Sequence, residues 1–174
     1  MHPIDKYITQ IPDFPKEGIL FRDVTSVTES PEGMKMAVDS MADLIKDLDY
    51  DAIIGLEARG FLFGAPIAYN ENKSFVLVRK KGKLPRETIE EEFQLEYGSD
   101  SMEIHKDSLK PGMKVVIVDD LLATGGTSAA AIKLVERLGA EVVSVLFLVE
   151  LKGLEGRKAL EGYRVDSVVQ YEGK

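Results

Sequence analysis

Residues 115–128 read VVIVDDLLATGGTS, and this stretch decides the fold. Val115–Val118 is an unbroken β-branched run, the pattern of a strand buried on both faces. It runs into two adjacent carboxylates, Asp119 and Asp120, and then into a loop containing Gly125 and Gly126. Residues 128–138 follow with Ala131, Leu134, Val135 and Leu138 on one helical face, closed by Gly139 at the C′ position. Strand, glycine turn and helix start form the usual recipe for a phosphate cradle, because glycine admits close backbone approach and the helix end attracts anions. Two negative charges at the lip of such a cradle need an explanation.

Working outward, DAIIGL (51–56), FVLVRK (75–80), EVVSVLFLVEL (141–151) and VDSVVQY (165–171) read as further strands. The segment 34–48 places Met34, Val38, Met41, Ile45 and Leu48 on one stripe of a helix, and Ser30 with Pro31 supplies its N-cap and first turn. FLFGAPIAYNEN (61–72) reads as a helix that begins late or bends at Pro66. Strands alternating with helices, apolar on both sides, predict an α/β fold with a central parallel sheet flanked by helices. In such sheets ligands bind beyond the carboxyl ends of the strands, where Asp119–Thr127 falls. Residues 1–30, with Pro3, Pro12 and Pro15, fit the scheme poorly, as do the polar residues 84–110, for which a lid or β-hairpin is expected.

The chain has 174 residues and is 44% hydrophobic, which bounds it to one domain with one well-buried core, taken as 1–174. No apolar run approaches the span of a bilayer, and MHPIDKYITQIPDFPKEG lacks the layout of a signal peptide, so no membrane partner is expected. The absence of cysteine excludes disulfides and thiolate metal sites, and a cytoplasmic location is the simplest expectation. A net charge of −8 argues against nucleic-acid binding. Against that background RKKGK (79–83) is either a solvated loop or a site for a small polyanion.

The loop is neither a P-loop, since no lysine follows Gly126, nor a dinucleotide fingerprint, which needs a third, spaced glycine. A phosphate monoester could still be held by the N–H groups of residues 123–127, the hydroxyls of Thr124, Thr127 and Ser128, and the helix dipole. Carboxylates repel that phosphate but accept hydrogen bonds from vicinal hydroxyls, which points to a ribose 5-phosphate with its diol on Asp119 and Asp120. The plain alternative for the pair alone is a solvated turn before an ordinary helix. His2 and His105 are isolated, so cysteine–histidine chemistry, a Ser–His–Asp triad and histidine metal ligation lack their parts.

VVIVDDLLATGGTS resembles the phosphoribosyl pyrophosphate (PRPP) motif of the type I phosphoribosyltransferases. FPKEGILFRDVT (14–25), GLEARGFLFGAPIA (55–68), VRKKGKLP (78–85) and LEYGSDSMEIHKD (95–107) resemble further blocks of that family in its order, the adenine phosphoribosyltransferases matching best. The resemblance implies transfer of phosphoribose from PRPP to adenine, giving AMP and pyrophosphate. The same chemistry on xanthine or hypoxanthine, or a PRPP-sensing regulator without catalysis, are the alternatives. It implies that Asp119, Asp120, Ala123, Thr124, Gly125, Gly126 and Thr127 hold the ribose and 5-phosphate. Pyrophosphate would fall to Ala58, Arg59 and Gly60, assisted by Arg79, Lys80 and Lys83, the last from this or a neighbouring subunit. Leu20, Phe21 and Arg22 would form a hood (1–30) over adenine, with Phe21 stacking and the backbone of the other two reading the base. Glu96 would act with Arg59 in catalysis, on a lid of about residues 84–104 that includes Tyr97. No fixed metal site is expected; Mg²⁺ would arrive with the substrate phosphates and reach Asp119 or Asp120. A homodimer is also implied.

Overall fold

The computed structural model describes residues 1–95 and 97–173. After a 3-10 turn at Pro3–Tyr7, strands β1 (Thr9–Pro12) and β2 (Leu20–Asp23) form a separate antiparallel pair. Helix α1 (Thr25–Thr28) and helix α2 (Pro31–Leu44) come next. The main body is β3 (Ala52–Leu56), α3 (Gly60–Asn70), β4 (Ser74–Lys80), β5 (Thr88–Gln94), β6 (Ser99–His105), β7 (Lys114–Leu122), α4 (Gly126–Arg137), β8 (Glu141–Leu151) and β9 (Val165–Tyr171). Its seven strands lie in the order β5-β6-β4-β3-β7-β8-β9. β4, β3, β7, β8 and β9 run parallel, and the β5–β6 hairpin extends the sheet antiparallel beyond β4.

Period-two alternation divides the core between the two faces of this sheet. Ile53, Val116, Val118, Leu146 and Leu148 pack with Val38, Met41, Phe63 and Ile67 on the α2–α3 side. Ile54, Val115, Ile117, Val145 and Phe147 pack with Ala131, Leu134 and Val135 of α4 on the other. Every residue of β3 is buried, which is why AIIGL carries no polar position. Each large side chain fully buried in this way contributes roughly 1.5–3 kcal/mol, and truncating Ile117 to Ala would cost about 2–5 kcal/mol.

Helix starts follow local chemistry. Ser30 Oγ accepts from Gly33 N–H (3.1 Å) at the head of α2, with Pro31 behind it. Gly139 after α4 takes φ +83°, as the C′ position requires. Of the two alternatives expected at Pro66, a late start or a bend, the late start is corrected: α3 begins at Gly60 and carries Pro66 inside. Pro66 forfeits one hydrogen bond, and the fully buried Phe63 and Ile67 on the same helix outweigh that loss. Residues 84–110 hold the β5–β6 hairpin, whose inner half is structural: Met102, Glu103, Ile104 and His105 are buried. His105 Nε2 accepts the Arg86 N–H at 3.2 Å.

This topology fixes where a ligand can sit. β3 and β7 are neighbours, yet the chain leaves β3 through α3 toward β4 and leaves β7 through α4 toward β8, in the opposite direction. The helices cover opposite faces, so the loops after β3 and β7 part from one another and open a crevice at the carboxyl ends. Residues 57–59 line one wall and residues 119–127 the other.

Candidate active site

The β3 end supplies an acid as well as a base. The Glu57 side chain is nearly buried and accepts from Arg79 Nε (3.0 Å), the Lys80 backbone N–H (3.0 Å) and Lys83 Nζ (2.5 Å). Burial pulls its carboxyl upward, but the hydrogen bonds from Lys83, Lys80 N–H and Arg79 outweigh that and hold it below the usual range. Gly60 opens α3 against the end of β7. A Cβ there would fall 2.8 Å from Val118 O and 3.1 Å from Asp119 Oδ1, so only glycine lets the two loops approach this closely.

The β7 end holds the paired carboxylates. Asp119 Oδ1 accepts the Asp120 N–H at 2.8 Å. Burial, and then repulsion from Asp120, push the Asp119 carboxyl well above its ordinary range. Asp120 is 4% exposed, and Arg59 Nε lies 2.9 Å from its Oδ2. That approach is electrostatic rather than directional: the same Oδ2 is buried and accepts no hydrogen bond among the described residues. An unused buried acceptor of this kind calls for a donor, and a ligand hydroxyl supplies one.

Beyond the carboxylates, α4 starts on Gly125 in the left-handed conformation (φ +84°), with no side chain capping it. The N–H groups of its first turn therefore face a small cradle of about 80 Å³ bounded by Leu121–Ser128 and Asp119. A larger cavity of about 380 Å³ joins it through Asp119, Leu121 and Thr127, and reaches Ala58, Arg59 and Lys80 on the far wall. The opening thus runs from an anion-attracting helix end, past acceptors, to a basic wall. Lys80 Nζ is held 3.0 Å from Asp100 Oδ2.

Of the residues singled out in the sequence, the structure brings Ala58, Arg59, Lys80, Asp119, Asp120 and residues 123–127 to this crevice. Gly60 lines neither cavity but packs against Val118 and Asp119 at the end of β7, and Arg79 and Lys83 reach the crevice through Glu57. Leu20, Phe21 and Arg22 lie on β2 and line neither cavity. Phe21 packs edge-on against Phe14 (5.2 Å), and the Arg22 guanidinium lies 3.9 Å from the Tyr171 ring centre. Tyr97 is 88% exposed near the hairpin tip, and Glu96 lies outside the described residues. Glu57, Phe93 and Asp100, none of them among the residues expected from the sequence, also line the larger cavity. Only for Glu57 was there a signal, an acid beside Arg59 at a strand end. Among the described residues no group of three His, Cys, Asp or Glu could hold a metal ion. Among the described residues, likewise, no helix is long and apolar enough to cross a membrane.

Comparison with known proteins agrees with this fold. Residues 23–172 match the phosphoribosyl transferase domain family. An adenine phosphoribosyltransferase of Lachnoclostridium phytofermentans is 58% identical over 174 residues, covering 100% of both chains. The crystal structure of adenine phosphoribosyltransferase from Thermoanaerobacter pseudethanolicus superposes with a TM-score of 0.93 at 52% identity, covering 97% of this chain and 98% of that one. The Saccharomyces cerevisiae enzyme, solved with an imino-altritol bisphosphate and adenine, superposes at 0.89 with 40% identity, covering 95% and 96%. The chain belongs to the phosphoribosyl transferase domain family, among its adenine phosphoribosyltransferases.

Proposed function

We propose that this chain transfers the phosphoribosyl group of PRPP to adenine in purine salvage, giving AMP and pyrophosphate. One observation carries the reading: a single crevice joins an uncapped helix start, two acceptor carboxylates and a basic wall, in that order. PRPP has phosphate, diol and pyrophosphate in the same order. The N–H groups of residues 123–127 and the hydroxyls of Thr124 and Thr127 bind the 5-phosphate. Asp119 and the open Oδ2 of Asp120 accept from the ribose hydroxyls. Arg59, Lys80 and the backbone of Ala58 and Gly60 stabilise the charge that develops on the leaving pyrophosphate.

N9 of adenine attacks C1 of the ribose as the C1–oxygen bond to pyrophosphate breaks, with inversion at C1. The N9 proton passes to Glu96. The lid excludes water from the ribosyl centre. Leu20, Phe21 and Arg22 hold the base; the yeast relative's combination of a sugar bisphosphate with adenine supports a base site beside the sugar site. Asp119 and Asp120 are adjacent carboxylates, and the buried Asp120 Oδ2 accepts no hydrogen bond among the described residues, an oxygen donor set of the kind Mg²⁺ takes; the cation would neutralise the phosphates of PRPP.

Leu62 and Tyr69 are exposed seven residues apart on α3, a face that pairing of two copies would cover, and the protein is proposed to be a homodimer. Lys83 meets Glu57 of its own chain, which favours a role in its own site. A chain without cysteine suits the cytoplasm.

The direct test supplies PRPP and Mg²⁺ with adenine, hypoxanthine, guanine or xanthine in parallel. AMP from adenine alone is expected. Turnover of another base would overturn the hood assignment, and PRPP binding without turnover would indicate a sensor.

A further inference from the structure

Behind the phosphate loop lies a 3-10 turn, Gly156–Leu160, that no part of the reaction uses directly. Its backbone closes on the loop backbone at Ala123 and Gly125, with the Leu122 and Ala159 side chains packed alongside. A Cβ on Gly156 would fall 2.7 Å from Leu122 Cδ1 and would collide with Ala123 O. From the other side, a Cβ on Gly125 would fall 2.6 Å from Gly156 O and 3.0 Å from Ala159 Cβ. The two backbones are thus in contact at the left-handed residue that launches α4.

The turn is itself clamped. Arg157 donates through Nε to Glu150 Oε1 (2.7 Å) and through Nη2 to Glu150 Oε2 (2.8 Å), a bidentate fork. Its Nη1 donates to Val165 O at 3.1 Å, and Ser167 Oγ donates to Glu150 Oε2 at 2.7 Å. Glu150 is 3% exposed near the end of β8, so the fork ties the turn to the rigid ends of β8 and β9. Leu160, 1% exposed, anchors its far end in the core.

We propose that Gly156 and the Glu150–Arg157 pair are positioning residues for PRPP, fixing the backbone of residues 123–125 so that its N–H groups converge on the 5-phosphate. This rests on the phosphoribosyl reading of the cradle. The effect is specific: the turn touches the phosphate loop and lines neither the basic wall nor the larger cavity.

The test compares wild type, Gly156→Ala, Arg157→Lys and Arg157→Met, measuring the PRPP Kd by calorimetry with Mg²⁺, the adenine KM, and Tm. A displacement approaching 1 Å can cost about a hundredfold. Gly156→Ala is expected to weaken PRPP by about ten- to a hundredfold while the adenine KM moves by less than about twofold. Arg157→Lys keeps the charge and loses the fork, so it falls between wild type and Arg157→Met. A purely structural role would lower Tm and the active fraction and leave the PRPP Kd of the folded protein unchanged; that result overturns the proposal. If Gly156→Ala does not fold, the two Arg157 variants decide on the same readout. Failure of wild type to bind PRPP would overturn the underlying reading instead.

Discussion

Asp119→Asn sets stability and function against each other in one residue. The variant retains an Oδ1 to accept the Asp120 N–H (2.8 Å in the wild type) and removes one negative charge. In the free protein, burial and the neighbouring Asp120 hold the Asp119 carboxyl well above its ordinary value of 3.8. Folding therefore favours the protonated form. Its stabilising contribution is complete below that ordinary value and disappears as pH rises through the raised one. At neutral pH the charge opposes folding, so Asp119→Asn is expected to be more stable than wild type, and the gap closes as the solution is acidified. Each kcal/mol relieved raises Tm by roughly 2–4 °C in a chain of this size. Ligand binding runs the other way. A ribose hydroxyl donating to an ionised carboxylate contributes about 1.5–3 kcal/mol, so PRPP affinity is expected to fall about 10- to 150-fold. Calorimetric titration with PRPP and Mg²⁺, and a Tm series across acidic to neutral pH, measure both. A lower Tm at neutral pH with unchanged PRPP affinity would refute both the electrostatic account and the ribose assignment.

Glu57→Gln removes the charge that anchors Arg79 and Lys83, and urea denaturation is expected to show a loss of about 1–3 kcal/mol at neutral pH. Because the Glu57 carboxyl is held below its ordinary 4.5, wild type keeps this stability above that value and loses it as pH falls through the lowered one, so the two proteins converge in acid. Glu96→Gln is expected to lower kcat by about 10²–10⁴ with the PRPP KM unmoved, checked by steady-state kinetics. Tyr171→Leu removes the ring under the Arg22 guanidinium, worth about 0.5–2 kcal/mol, and is expected to raise the adenine KM while sparing PRPP. Ser30→Ala, at the α2 cap far from the chemistry, lowers the urea midpoint by the equivalent of about 1 kcal/mol and leaves turnover intact.

The sequence made legible those features that depend on neighbours along the chain. VVIV announces a strand whatever lies beside it, because burial on both faces demands an unbroken apolar run. Its end is not local: β7 continues past the expected 115–118 through Asp119 and Asp120 to Leu122, paired with β8. Ser30–Pro31 and Gly139 mark helix ends through their own hydrogen bonds and dihedrals. Contacts across the sheet were hidden. Glu57 meets Arg79 and Lys83 only because β3 and β4 pair in parallel, with Leu56 opposite Val78. The late start or bend expected at Pro66 follows from local propensity, while the burial of Phe63 and Ile67 that lets α3 begin at Gly60 is tertiary. Within TIEEEFQ, Glu91 and Phe93 alternate with the exposed Glu90 and Glu92. Three consecutive acids masked that period-two pattern, and the segment stood as either lid or hairpin.

A chain with net charge −8 that binds a substrate as anionic as PRPP must concentrate its cations without leaving them to repel one another. The crevice does this by pairing. Arg79 and Lys83 share Glu57, Arg59 leans on Asp120, and Lys80 on Asp100. Each pair keeps a long side chain ordered at the basic wall while PRPP is absent, so less conformational entropy is lost on binding. Two of these carboxylates differ in the acceptors they leave open. Glu57 has three donors and no reason to let them go, so it acts as a fixed anchor. Asp120 meets its arginine off the hydrogen-bond line and keeps Oδ2 unused, so a ribose hydroxyl can bind there without first displacing a donor. On the proposed reading, the pair at the lip of the cradle therefore takes the sugar rather than either phosphate, and the basic wall of Arg59 and Lys80 is left to the pyrophosphate.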